Sequence, residues 1–136
     1  MRLLIDGNII LDVLQRREPH YADSSKIWKL CETDRAEGFV SALTLANLVY
    51  IMRKELDAEK TENVLKQLTL IFRIADLTQA DVMKAAEMRW GDFEDAVQAN
   101  TAKRIGADAI VTRNIRDFRQ SAVTAFTPTE CLERLI

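Results

Sequence analysis

Arg2-Leu3-Leu4-Ile5-Asp6-Gly7-Asn8 opens the chain with a short apolar run, stopped by a carboxylate and then by Gly-Asn. Such a run, without polar alternation, reads as a strand buried on both faces, and Asp6-Gly7-Asn8 reads as the turn that ends it. Moving outward, Ile27, Trp28, Leu30 and Cys31 recur at three-and-four spacing and predict a helix over 24–34, followed by a strand at Phe39-Val40-Ser41. Leu45, Leu48, Val49 and Met52 mark a second helical stripe, and Val64, Leu65, Leu68 and Ile71 a third. Ile71 to Ala75 is rich enough in β-branched and aromatic residues for a strand, and Thr78 with Asp81 gives a capping start to a helix reaching Trp90. A further helix opens at Asp92 and runs to Ile105, closed by Gly106 at a left-handed cap position. Strands are then expected at 109–112 and 122–126, and Thr127-Pro128-Thr129-Glu130 starts a last helix. Strands alternating with helices imply an α/β fold with a mostly parallel sheet covered on both faces.

The chain has 136 residues, 19 Lys+Arg against 21 Asp+Glu, a net charge of −2 and 48% hydrophobic residues. That is the profile of one compact domain spanning 1–136, with no linker, repeat or low-complexity tract. With a pI near 5.5 there is no bulk positive field, so any nucleic-acid contact must come from a local basic patch. Leu3-Leu4-Ile5 is far shorter than the roughly 7–15 apolar residues of a secretion signal. The apolar stretch from Ala42 to Met52 falls below the ~18 residues of a membrane span. A cytoplasmic protein with no membrane association is expected. Cys31 and Cys131 are distant in sequence and lack a C-x-x-C partner, so they read as buried thiols, while His20 is the sole histidine and a poor basis for a metal site.

The polar residues that end apolar strands are informative, because open α/β sheets bind ligands beyond the carboxyl ends of their strands. Asp6 follows the first strand, Asp92 and Asp95 open a helix, and Asp117 comes shortly after the strand at 109–112. Hard oxygen ligands without His or Cys suit Mg²⁺ or Mn²⁺. A cation also relieves the repulsion that would otherwise raise the pKa of neighbouring carboxylates. Each acid has a plainer reading: Asp92 as a helix cap with Asp95 in the first turn, Asp117 as a loop residue.

Leu3 to Asp12, Ser41-Ala42-Leu43-Thr44, Asp92-Phe93-Glu94-Asp95-Ala96 and Val111 to Phe118 together resemble, in order and spacing, the PIN-domain family, close to the small prokaryotic VapC-type toxin ribonucleases. The resemblance implies a three-layer α/β/α sandwich and a metal-dependent endoribonuclease that hydrolyses RNA phosphodiester bonds. It implies Asp6, Asp95 and Asp117 as catalytic metal ligands with Asp92 beside them, and Asn8, Asn47, Thr112 and Asn114 as residues that orient those carboxylates. Arg113 and Arg116, with Arg119, Lys103 and Arg104 nearby, are then candidates to grip RNA phosphate, and Trp90 and Phe93 to stack a base. The implied partners are an RNA substrate, an antitoxin protein and a second copy in a homodimer.

Three departures stand out. Asn47 occupies the position on the helix after the second strand where many members carry Glu, Gly7 replaces Thr or Ser, and Asn114 stands where some members have Asp. The first removes a charge and keeps open a second reading, a catalytically weakened PIN-like domain that binds RNA or protein without cutting. A phosphatase is disfavoured, because a nucleophilic aspartate commonly has a second acid two residues on, where this chain has Asn8.

Overall fold

The computed structural model describes residues 1–135. Five strands, β1 (Arg2–Ile5), β2 (Glu37–Ser41), β3 (Arg73–Ala75), β4 (Ala109–Val111) and β5 (Ala125–Phe126), form one sheet in the order β3-β2-β1-β4-β5, with every pairing parallel. Central β1 is buried on both faces: Leu3 and Ile5 pack into one layer of the core and Leu4 into the other, following the two-residue alternation of a strand. The first layer is built by α1 (Gly7–Leu14), α2 (Tyr21–Glu32), α3 (Ala42–Met52), α4 (Ala58–Ile71) and α7 (Pro128–Arg134). The second is built by α5 (Gln79–Met88) and α6 (Phe93–Arg104). The result is the expected α/β/α sandwich.

The turn expected at Asp6-Gly7-Asn8 is instead the beginning of α1. Asp6 keeps an extended backbone as N-cap, and Ile9, Ile10 and Leu11 enter the core at 1%, 1% and 7% exposure. Burial of that apolar face outweighs the turn preference of Gly-Asn. The last strand is shorter than 122–126, because the Val123 amide donates to the Ser121 hydroxyl and only Ala125–Phe126 reach the β4 edge. The helix expected to reach Trp90 ends at Met88, where Arg89 turns left-handed at φ 56°. Both sequence-read caps form: Thr78 with Asp81, and Thr127 with Glu130, each make reciprocal capping boxes. Cys31 and Cys131 are free and buried. Among the described residues no helix is long and apolar enough to cross a membrane.

Candidate active site

Because all strands run the same way, the residues following β1 and β4 emerge at one edge of the sheet. The Asp6 amide donates to the Val111 carbonyl at 2.9 Å, which ties the two strand ends together. As N-cap of α1, Asp6 uses no side-chain capping bond, so its carboxylate is left for other partners. It accepts hydrogen bonds from Thr112 Oγ1 at 2.7 Å, Asn8 Nδ2 at 3.3 Å and Gln98 Nε2 at 3.4 Å. Three donors from three segments hold one acceptor group, the arrangement that fixes a ligand's orientation. Gly7 has a packing reason: a Cβ there would stand 3.1 Å from Thr44 Cγ2, so its absence lets α1 lie close to α3.

The first turn of α6 brings the other acids. Asp92 caps the helix by accepting the Asp95 amide at 3.1 Å, so its plain structural role is real. That leaves the half-buried Asp95 carboxyl facing its neighbours. Burial, reinforced by repulsion from Asp92, Asp6, Asp117 and Glu94, pushes it up to about 7. Asp117 lies in a 3-10 turn at Ile115–Phe118, and its amide donates to the Asn114 carbonyl. Asn114 contributes through its backbone, donating its amide to Thr112 Oγ1 at 3.0 Å and so aligning the hydroxyl that binds Asp6.

Two clefts flank these acids. One, of about 420 Å³, is lined by Asp92, Asp95 and Asp117 together with Arg89, Trp90, Arg116 and Arg119. The other, of about 450 Å³, is more apolar and is lined by Asp6, Asn8, Asn47, Tyr50, Ile51 and Glu94 among others. Asn47 faces Glu94, whose carboxyl is raised by burial and by Asp92 and Asp6 while the Asn47 amide acts in the opposite sense. Trp90 lines the first cleft and packs edge-on against Phe118 with centroids 6.4 Å apart. Phe93 is 49% exposed.

Two of the expected phosphate-binding residues are engaged elsewhere. Arg113 is turned away from the acidic edge, with its Nε 2.9 Å from Oδ2 of fully buried Asp12, because an internal carboxylate requires a paired charge. Arg104 is bound to Asp81 at 3.0 Å and to the Asp76 carbonyl, joining α6 to α5. Of the basic set, Arg116 and Arg119 line the first cleft beside Asp92, Asp95 and Asp117, and Arg89 joins them. Gln98, which binds Asp6, and Glu94, which lines its cleft, lie outside the set expected from sequence. The three-residue step from Asp95 to Gln98, which places both on one helix face, is the signal for the first.

Among the described residues, no group of three or more His, Cys, Asp or Glu side chains is arranged to hold a metal ion on its own. The donor chemistry nevertheless fits a hard cation. Asp6, Asp95 and Asp117 offer oxygen alone, and two buried acceptors beside Asp6, Asn8 Oδ1 and Gln98 Oε1, have no protein donor. Mg²⁺ is commonly held by one or two carboxylates and completed by water and substrate phosphate, so a full protein cage is not required.

A parallel α/β/α sandwich with carboxylates collected beyond the carboxyl ends of its strands, beside a cleft that also carries three arginines, defines the class of fold and candidate site. The chain belongs to the PIN domain family, whose profile matches residues 2–116. It is similar to the ribonuclease VapC1 of Aquifex aeolicus (strain VF5), with 25% identity covering 98% of this chain and 94% of that one. Among solved structures it is similar to VapBC2 from Rickettsia felis bound to a DNA fragment from its promoter (TM-score 0.69, 20% identity, 93% of this chain and 98% of that). A toxin-antitoxin complex from Klebsiella pneumoniae is comparable (TM-score 0.70, 19% identity, 93% and 97%).

Proposed function

We propose that this chain is a Mg²⁺- or Mn²⁺-dependent endoribonuclease and the toxin of a toxin–antitoxin pair, acting in the cytoplasm as a homodimer. The observation that carries the reading is the gathering of Asp6, held by three side-chain donors, with Asp92, Asp95 and Asp117 of the adjoining cleft at one edge of the sheet, an all-oxygen set suited to a divalent cation. The ribonuclease and toxin-antitoxin relatives support the substrate and the partner. Asp6, Asp95 and Asp117 would hold the metal, with Asp92 beside them. Thr112, Asn8 and Gln98 fix the Asp6 carboxylate, Asn47 sets Glu94, and Asn114 sets Thr112. A divalent ion bound there supplies acidified water and neutralises charge on the phosphodiester. Arg116, with Arg89 and Arg119, binds phosphate along the adjacent cleft, where a planar guanidinium grips two oxygens.

The test is total RNA incubated with the chain and Mg²⁺, with new ends mapped by sequencing. Asp6→Asn and Asp95→Asn should each abolish cleavage at the wild-type sites while leaving the thermal midpoint near that of the parent. Wild-type cutting by either variant would remove that residue from the ligand set. Binding of RNA without any cutting by the parent would favour the non-catalytic module that Asn47 keeps open.

A further inference from the structure

Glu94 and Asp95 are consecutive in the first turn of α6, and successive residues of a helix point about 100° apart. Asp95 lines the first cleft with Asp92 and Asp117, whereas Glu94 lines the second with Asp6, Asn8 and Asn47. Asp6 lines the same cleft as Glu94, and its charge acts on both carboxylates of this helical turn. Helix capping does not account for Glu94, since Asp92 already accepts the first-turn amide. Favourable interaction with the helix dipole does not require half-burial against Asn47, which costs solvation. A second observation points to a ligand at the same place. Gln98, 1% exposed, lays its amide against Asp6 while its Oε1 has no protein partner.

We infer that Glu94 is a ligand of the same divalent cation as Asp6, direct or through one water, completing the set from the α1–α3 side with Asn47 as its positioning residue. The carboxylate absent from α3 at position 47 is thus supplied from α6, and Asn47 donates to it in place of competing with it. This rests on the metal-dependent reading of the site.

The test is titration of Mn²⁺ into the full chain, with free Mn²⁺ followed by electron paramagnetic resonance, so that no RNA substrate is needed. The wild type should bind saturably. Glu94→Gln should weaken binding about tenfold or more, the scale on which partners of a metal site act. The exposed α5 substitution Glu87→Gln should leave binding unchanged. Moving the acid, in the double variant Asn47→Glu/Glu94→Gln, should restore affinity, which a merely structural role for Glu94 would not predict. Wild-type affinity in Glu94→Gln overturns the inference and leaves the metal reading standing, and a loss that the double variant does not recover overturns it as well. No saturable binding by the wild type up to millimolar Mn²⁺ overturns both.

Discussion

Asp12 is a fully buried acid on α1, held by Arg113 Nε at 2.9 Å and Ser24 Oγ at 3.0 Å, both on its Oδ2. Nothing in the local sequence distinguishes it from a surface residue, and Arg113 lies 101 positions away. From sequence alone Arg113 reads as a candidate to grip RNA, whereas the fold uses it to neutralise an internal charge. Removing one partner of a buried pair strands the other, so Arg113→Met should lower unfolding stability by about 3–5 kcal/mol in urea titration. A loss below ~1 kcal/mol, the scale of an exposed pair, would show that the pair is not buried in solution. Asp6 was legible for the opposite reason: a carboxylate that stops a fully apolar strand announces itself. Gln98 was not, because its role is to meet a residue 92 positions earlier.

At the scale of elements, β2 packs at Gly38 against Cys31 of α2 and Phe72, the residue that caps α4, where a Cβ would come within 2.6 Å of Cys31 Sγ and 2.9 Å of Phe72 Cδ1. Gly38→Ala should destabilise by about 1–3 kcal/mol through overpacking, read as a shift of the urea midpoint at constant slope. The α5–α6 contact is pinned by Asp81. Burial raises its carboxyl, but hydrogen bonds from Arg104 and Thr78 outweigh this and hold it below the usual carboxylate range. A folded-state pKa below the unfolded one gives stability that is present above about 4 and lost as pH falls through the lower, folded value. Asp81→Asn should accordingly lower the thermal midpoint at pH 7, and the gap to the wild type should shrink as pH falls below about 4. A gap independent of pH would place the effect in packing.

Across the whole molecule, the two thiols report on the integrity of the core. Burial, with a further contribution from Cys131, pushes Cys31 up to about 12, and burial pushes Cys131 up to about 11. Since the thiolate is the reactive form, neither should react with a disulfide reagent at pH 8 in the folded chain, and both should react at once in denaturant. Prompt labelling of the native protein would mean that the α2–α7 side opens readily. By itself the sequence determined the alternation of strands and helices, both capping boxes and the acids at the strand ends, because apolar periodicity and helix-start chemistry are local properties written within a few residues. Only the tertiary structure decided that Gly7-Asn8 begins a helix, that Arg113 serves Asp12, that Arg104 serves Asp81, that Gln98 binds Asp6 and that Glu94 shares its cleft. Those outcomes depend on which distant groups share a desolvated space, where an unpaired charge or a buried apolar face costs more than any local preference can offset.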